Sequence, residues 1–245
     1  MKKIVLITGA AKGIGYETAL QLGKKGYTVI VTARSQEKSD ETAAKLKAMN
    51  IDAYSCKLDV TNADDIANLF DFVTAKFGKL DVLVNNAGIQ IDNNVFVQGN
   101  TTESVSQDIL KKTFDSNFFG PIALTQKMLP LIRKSTAGRI VNVSSVLGSL
   151  ALHSMADSPI YGTKMLAYNS SKTALNQFTL HLAAAVKDAN IKVNSAHPGW
   201  VKTDLGGEYA PMAVEQGAKT IVDLCQADEN GTTGGFIHLG EALPW

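Results

Sequence analysis

The sequence predicts an α/β fold, a Rossmann-type doubly wound parallel sheet with helices on both faces. Short, continuously apolar runs alternate with longer amphipathic segments, which is typical of parallel strands that are buried on both sides and connected by helices. The first apolar run also leads into a glycine-rich turn and then a helical pattern, the start of a βαβ unit. No linker, repeat or low-complexity tract interrupts the pattern, so a single domain over residues 1–245 is expected.

Apolar and β-branched content predicts the strands in chain order. The first reads IVLI and ends at Thr-Gly, and the second has VIV at its centre. The strands are expected at residues 4–7, 28–32, 53–58, 82–84, 139–143, 191–196 and 235–239.

Helical spacing of the apolar residues predicts the segments between the strands. The first helix ends at Gly26, Asn62 with Asp65 resembles a helix start, and Pro130 is expected to kink or end a long helix. The helices are expected at residues 14–25, 37–49, 62–77, 103–134, 165–186 and 211–226. The irregular segments 89–102, 147–163 and 202–211 all follow strands at one edge of the sheet, where ligands bind in such folds.

The charge balance and cysteine content exclude several classes of protein. Lys and Arg number 24 against 23 Asp and Glu, which favours neither a nucleic acid nor an anionic membrane as partner. The N-terminal apolar run IVLI is too short for a signal peptide, and no stretch approaches a membrane span. Two cysteines, Cys56 and Cys225, are expected as free thiols, so the predicted location is the cytoplasm.

The turn TGAAKGIG contains Gly9, Gly13 and Gly15 between the first strand and the first helix. Glycine lets the backbone turn tightly, and it lets a phosphate approach the free N–H groups of a helix N-terminus. The spacing departs from G-x-G-x-x-G, but its place in a βαβ unit favours a dinucleotide site. The alternative is a turn selected only for tight packing.

Four segments together resemble the short-chain dehydrogenase/reductase family: TGAAKGIG, NNAG at 85–88, YNSSK at 168–172 and PGWVKTD at 198–204. They occur in the family's order along nearly the whole chain. The resemblance implies a nicotinamide cofactor, a seven-stranded sheet and hydride transfer to or from a carbonyl carbon.

The residues after the second strand favour NADPH/NADP+ over NAD. A carboxylate at this point would accept from the ribose 2′-OH, but the sequence has Ala33 and Arg34, and Arg34 could clamp a 2′-phosphate. Lys12 adds a second cation beside that phosphate. The alternative is that both cations are solvated surface charges.

The resemblance assigns further residues to the cofactor. It implies that Asp59 and Val60 contact the adenine, although Asp59 could also cap a helix. Gly88 permits close approach to the cofactor, and Asn85 or Asn86 pins neighbouring strands. The expected cofactor contacts are Gly9, Lys12, Gly13, Ile14, Gly15, Arg34, Asp59, Val60, Asn86, Ala87, Gly88, Tyr168, Lys172, Pro198, Gly199, Val201 and Thr203.

Tyr168 and Lys172 are predicted as the acid–base pair. Groups four residues apart on a helix share a face, and an ammonium near a phenol is expected to lower the pKa of the phenol. Tyr161 has Met165 at the matching position and is flanked by Pro159 and Gly162, which weaken a helix.

Two further catalytic residues follow from the resemblance. Ser144 and Ser145 end the fifth strand and point to opposite sides, and the family pattern selects Ser145 as the partner of the substrate oxygen. Asn117 in FDSNFFG matches the family's helical Asn, which implies that it holds a water in a proton relay.

The stretch of about 149–163 before Tyr168 is longer than is usual in the family, and it resembles the carbonyl-reductase branch. That branch implies NADPH-dependent reduction of ketones and aldehydes, and it leaves open a monomer or a homo-oligomer. The short segment after Thr203 indicates an open cleft for broad hydrophobic or aromatic substrates. His153, Tyr161 and Trp200 are the candidate substrate contacts, and the four histidines show no metal-ligand spacing.

Two other functions are possible for this fold, and the sequence favours them less. A reductase of 3-oxoacyl thioesters would be expected to carry a basic patch for an acidic carrier protein, and the even charge balance gives none. A non-catalytic nucleotide sensor would be expected to have lost Ser145, Tyr168 or Lys172, and all three are present.

Overall fold

The computed structural model describes residues 2–92 and 101–245. A sheet of eight strands lies at its centre, in the order β3-β2-β1-β4-β5-β6-β7-β8. The strands are β1 Ile4–Ile7, β2 Thr28–Ala33, β3 Ala53–Lys57, β4 Val82–Asn85, β5 Gly138–Val143, β6 Ile191–Ala196, β7 Phe236–His238 and β8 Glu241–Ala242. The prediction of a doubly wound sheet with seven parallel strands is confirmed.

The eighth strand was not predicted. β8 pairs antiparallel with β7 across a turn formed by Leu239 and Gly240, both of which have positive φ. Turns of this kind match the twist of paired strands, and Gly240 adopts its conformation without steric penalty. β8 has only two residues, which is too short to leave a recognisable periodic pattern in the sequence.

Helices cover both faces of the sheet. They are α1 Gly13–Lys24, α2 Gln36–Ala48, α3 Ala63–Phe77, α4 Gln107–Phe114, α5 Gly120–Ile132, α6 Leu150–Ser154, α7 Leu166–Ala185 and α8 Val214–Gln226. Their ends have identifiable causes: Asn62 caps α3 by accepting from the amides of Asp64 and Asp65, and Gly78 ends it with φ 69°. The predicted irregular segment 89–102 lies partly outside the described residues.

The buried apolar side chains divide between the two faces of the sheet. Along β1, Val5 and Ile7 belong to the cluster that also includes residues of α1, α2 and α8. Ile4 and Leu6 belong to the cluster with residues of α3, α5 and α7. Successive side chains of a strand point to opposite faces of the sheet. A strand whose sheet is covered by helices on both faces therefore has apolar residues at every position.

The long helix predicted over 103–134 is interrupted. Between α4 and α5, residues Asp115–Phe119 form a π-helical turn, and Asn117 lies in it, completely buried. Such turns are frequent at functional sites because they reorient side chains within a helix. Pro130 lies inside α5, which continues to Ile132, so the proline does not end the helix.

A chain of buried hydrogen bonds crosses the carboxyl half of the sheet. Asn85 of β4 donates to Thr125 of α5 at 2.9 Å and to Asn142 of β5 at 2.8 Å. Asn142 donates to Thr179 of α7 at 2.8 Å, and Thr179 lies 2.8 Å from the hydroxyl of Ser195 of β6. These bonds fix α7 against the strand ends, and they confirm that Asn85 links neighbouring strands.

No helix in the described ranges is both long enough and apolar enough to cross a membrane. Within residues 2–92 and 101–245, no three His, Cys, Asp or Glu side chains are grouped so that they could hold a metal ion.

Candidate active site

The glycine-rich turn lies at the point where the strand order reverses, between β1 and its two neighbours β2 and β4. Gly9 and Gly13 have φ 63° and 56°, which favours glycine at both positions. A Cβ on Gly15 would lie 2.5 Å from Asn86 Nδ2 and 2.6 Å from the Gly9 carbonyl oxygen. The turn is therefore a tight cradle in which glycine is required.

The N-terminus of α1 opens into this cradle. Lys12 is the N-cap residue, and its side chain makes no capping hydrogen bond to the helix. The first amides of a helix have no partner within the helix, and together with the helix dipole they attract an anion. Ile14 lies in the first turn of α1 and packs on the apolar core.

The NNAG segment is attached to the same turn. Asn86 Nδ2 donates to the carbonyl oxygens of Thr8 and Gly9 at 2.8 and 3.2 Å. The amides of Asn86 and Ala87 both donate to Thr8 Oγ1, at 2.9 and 2.8 Å. These bonds hold the end of β4 beside the turn, so the predicted cofactor residues of the two segments are brought together.

The segment after β6 closes the other side of the cradle. The Cβ position of Gly13 lies 3.4 Å from Thr203 Cγ2, and Lys12 forms an exposed ion pair with Asp204. Gly199 has φ 92°, and a Cβ there would collide with Met212 Sδ at 2.1 Å. The segment 198–204 is thus folded back tightly, with Val201 buried and Pro198 preceding the turn.

Several positively charged side chains lie beside the glycine-rich turn. Arg34 is exposed just after β2, and it has no hydrogen bond or ion pair within the described part of the chain. An open cavity of about 220 Å³ lies between the turn and α2, and Lys12, Lys38 and Lys45 are among its lining residues. Sequence reasoning missed Lys38, which is one helical turn past Arg34 in the chain.

Asp59 and Val60 lie in the turn before α3. Asp59 Oδ1 accepts from the amide and the hydroxyl of Thr61, at 2.9 and 2.7 Å. The residue that caps α3 is Asn62, so the alternative role of Asp59 as the helix cap is wrong. The carbonyl oxygen of Val60 packs against Gly120, where a Cβ would approach it to 2.8 Å.

Tyr168 and Lys172 lie on one face of α7, and both are more than nine-tenths buried. Lys172 Nζ is 5.6 Å from the centroid of the Tyr168 ring and donates to the Val143 carbonyl oxygen at 2.9 Å. Burial lowers the pKa of Lys172 to about 8, because the charged ammonium is removed from water.

The expected lowering of the Tyr168 pKa is not found. Burial raises the pKa of Tyr168 to about 12, the Ser145 hydroxyl opposes this, and the charge of Asp92 adds to it. Desolvation disfavours the phenolate, and here burial raises the pKa of Tyr168 by more than the hydrogen bond of Ser145 lowers it.

Ser145 follows β5 and lies beside the phenol. Its Oγ accepts from the amide of Leu147 at 3.2 Å, which starts the 3₁₀ turn Val146–Gly148. A Cβ on Gly148 would lie 2.8 Å from the backbone of Lys172, so glycine permits this turn to sit directly on α7. The hydroxyl of Ser144 is buried and has no partner within the described residues.

Asn117 joins the loop after β4 to α7. Its Oδ1 accepts from the amide of Ile89 at 2.8 Å, and its Nδ2 donates to the Ile89 carbonyl at 2.8 Å and to Ser171 at 3.0 Å. The Cβ position of Gly88 is 3.2 Å from Asn117 Oδ1 and 3.5 Å from Lys172 Nζ. Asn117 therefore lies next to the acid–base pair, and its relay role stays a prediction.

The three candidate substrate residues differ in their surroundings. His153 in α6 has Nε2 3.0 Å from the Leu147 carbonyl oxygen and 3.2 Å from Asn169 Nδ2. Tyr161 is 44% exposed, and Lys164 Nζ lies 4.4 Å from its ring centroid. Trp200 is half exposed and donates to the Gly206 carbonyl at 2.7 Å.

His197 lies beside the backbone that follows Ser145. Its Nδ1 accepts from the amide of Val146 at 3.2 Å, next to Ser145, and its ring centroid lies 4.7 Å from that of His238, with the two rings tilted by 43°. Burial lowers the pKa of His197 to about 3, so the ring is neutral. The role of His197 in this structure is therefore to fix the backbone that follows Ser145.

The sequence matches the family model described as short chain dehydrogenase over residues 3–214. The chain is 36% identical to the short-chain dehydrogenase anuI of Penicillium roqueforti, over 90% of this chain and 87% of that protein. It is 33% identical to the 3-oxoacyl-[acyl-carrier-protein] reductase FabG of Staphylococcus aureus, over 88% of this chain and 81% of that protein.

Among solved structures, the chain resembles the NADPH-bound carbonyl reductase from chicken fatty liver. The TM-score is 0.86 and the sequence identity 26%, and the match covers 100% of this chain and 99% of that one.

The contacts of Asn117 lead to a first testable expectation. Asn117→Ala should lower the free energy of unfolding by about 1–3 kcal/mol, because it leaves both backbone groups of Ile89 without their partner. Urea denaturation measures this change. Ser171→Ala removes a hydroxyl that accepts from Asn117 Nδ2 and donates to the Tyr168 carbonyl, and it leaves both bonds to Ile89 in place. It should therefore have a smaller effect, and equal effects of the two variants would contradict the assignment.

Proposed function

The chain belongs to the short-chain dehydrogenase/reductase family, in its carbonyl-reductase-like branch, and we propose that it is an NADP(H)-dependent reductase of ketones and aldehydes with broad hydrophobic or aromatic substrates. As a member of this family it is an oxidoreductase that uses a nicotinamide cofactor. The observation that carries the proposal is the buried Tyr168–Lys172 pair, with Ser145 beside it, at the carboxyl edge of the sheet.

The glycine-rich cradle fits a dinucleotide. A side chain at Gly15 would fill the space between the turn and Asn86, and the open N-terminus of α1 suits a pyrophosphate. Thr203 lies across the cradle from Gly13 and would contact the nicotinamide end of the cofactor.

The preference for NADP(H) rests on charge. Lys12 and Lys38 line the cavity between the turn and α2, together with Glu41. Arg34 follows β2, and no carboxylate follows that strand directly. A guanidinium binds a phosphate through a planar fork of donors, so Arg34 is the principal residue expected to hold the 2′-phosphate.

The protein's own residues handle the proton. When bound, the reduced nicotinamide supplies a hydride to the carbonyl carbon. Ser145 and Tyr168 hydrogen-bond the carbonyl oxygen, and Tyr168 donates its proton to that oxygen as negative charge develops there. With a pKa of about 12 the phenol is protonated at neutral pH, and Lys172 stabilises the phenolate that remains.

The surface around the cleft supports apolar substrates. Most of the large apolar side chains that are exposed belong to the segments following β4, β5 and β6, which surround the carboxyl edge. They are Ile91, Leu150, Met155, Tyr161, Trp200, Leu205 and Tyr209. An exposed apolar rim around a few polar groups is typical of a ligand site.

A second candidate is reduction of 3-oxoacyl thioesters. It is favoured by the identity of 33% to the Staphylococcus aureus reductase. The two functions share the acid–base chemistry and differ only in the substrate. Activity measured on different substrates therefore distinguishes them, whereas variants of the catalytic residues do not.

A substrate panel tests this choice. We expect turnover of several aromatic and aliphatic ketones and aldehydes with NADPH, because the rim offers apolar area without a narrow fit. Absorbance of NADPH at 340 nm measures the rates, and an acetoacetyl thioester is included. A strong preference for the thioester alone would favour the second candidate, and no turnover of any carbonyl would contradict both.

The role of Tyr168 is tested by a matched pair of variants. Tyr168→Phe should reduce kcat by at least about 100-fold, because the proton donor is lost, while NADPH still binds. Tyr161→Phe also removes a phenolic hydroxyl, but from an exposed ring, and this variant should retain turnover. Stopped-assay rates and NADPH fluorescence titrations measure the two effects. The opposite pattern would assign the chemistry to Tyr161.

The cofactor preference is tested at Arg34. Arg34→Asp should lower the ratio of kcat/KM for NADPH to that for NADH by about tenfold or more, because a charge-assisted bond to the phosphate is replaced by repulsion. Arg133→Asp, at the opposite edge of the sheet, is the control and should leave the ratio unchanged. An unchanged ratio in Arg34→Asp would refute the assignment.

A further inference from the structure

The catalytic helix is capped from outside. α7 begins at Leu166, and the side chain of its N-cap residue Met165 makes no capping bond. The first amides of a helix need partners from elsewhere. The amide of Tyr168 donates to Asp92 Oδ2 at 3.0 Å, so a carboxylate 76 positions earlier in the chain fills this role.

The loop that carries Asp92 is attached to the same region at successive residues. Ile89 is bonded at both backbone groups to Asn117, and Gln90 Nε2 lies 2.8 Å from Met165 Sδ. Asp92 itself is 2% exposed. These contacts fix its carboxylate at the first turn of α7 and exclude water from around it.

Few charged groups face Tyr168. Lys172 lies on the same helix, and Asp92 approaches from the loop after β4. The 3₁₀ turn after β5 contributes the neutral Ser145, and His153 of α6 contacts the neighbouring Asn169. Within the described residues, no Lys or Arg forms an ion pair with Asp92, so its charge is not neutralised locally.

We propose that Asp92 is a positioning residue of the active site: it holds the first turn of α7 through the Tyr168 amide, and its carboxylate disfavours a second negative charge on the Tyr168 side chain. The inference rests on the proposed reductase function and deepens it. A carboxylate stabilises a helix N-terminus and disfavours a second negative charge nearby. Asp92 thereby favours the protonated phenol, the form that donates a proton to a carbonyl oxygen.

The sign of the effect on the pH profile follows from this charge. Alcohol oxidation needs the phenolate as proton acceptor, so its rate rises with pH as Tyr168 ionises. Burial and Asp92 both raise the pKa of Tyr168. Removing the charge of Asp92 should therefore move the rising limb to lower pH, on the order of one pH unit.

Two variants separate the charge from the hydrogen bond. Asp92→Asn keeps an oxygen that can accept from the Tyr168 amide, and it removes the charge. Asp92→Ala removes both. The measurement is kcat/KM for a secondary alcohol with NADP+ from pH 6 to 10, with Asp108→Asn as the control. Asp108 is an exposed aspartate on α4 and pairs with Lys112, so its variant should leave the profile unmoved.

We expect the rising limb of Asp92→Asn to lie at lower pH than that of the wild type, so that its kcat/KM at a given pH up to 10 is higher, on the order of tenfold for a shift of one pH unit. Asp92→Ala should lose about tenfold or more in kcat, with KM for NADP+ nearly unchanged. If Asp92→Asn keeps the wild-type profile or moves it to higher pH, the inference is overturned, even where Asp92→Ala is unstable. A wild type inactive on all carbonyls and alcohols would instead overturn the proposed function.

Discussion

The candidate site depends on the packing of α7 against the carboxyl end of β5. The buried ammonium of Lys172 donates a hydrogen bond to the carbonyl oxygen of Val143, the last residue of β5. Tyr168 lies one helical turn before Lys172, so this bond places it beside Ser145, which follows β5. The chain of hydrogen bonds from Asn85 through Asn142 to Thr179 holds the same helix further along. The arrangement of these candidate residues is thus part of the packing of the sheet.

Burial gives this site its electrostatic character. Water is excluded from both members of the pair, so the phenol holds its proton more tightly and the ammonium holds its proton less tightly than in water. The shifts move the two proton affinities apart: the pKa of Tyr168 is raised to about 12 and that of Lys172 is lowered to about 8, whereas the ordinary values of 10.0 and 10.5 lie close together. The same exclusion of water makes the single charge of Asp92 significant, because few charges lie near enough to screen it.

Close backbone approaches assemble the cleft from distant segments. Gly15 lets α1 lie against Asn86, and Gly148 lets the turn after Ser145 lie against α7. Gly88 similarly brings Asn117 and Lys172 near one another. The segments that bear the candidate residues are far apart in the chain, and the absence of side chains at these contacts allows them to meet at one edge of the sheet.

The sequence by itself determined the parallel sheet and the placement of Tyr168 and Lys172 on one face of a helix, because these follow from local rules. Continuous apolar runs such as 4–7 require cover on both faces, and Tyr168 and Lys172 share a face because they are four residues apart. Tertiary structure decided the π turn at Asn117, the pairing of Lys12 with Asp204, the capping of α7 by Asp92 and the raised pKa of Tyr168. Each of these features depends on which distant groups come into contact and on how much water they exclude. The spacing of neighbouring residues in the sequence encodes neither of these two factors.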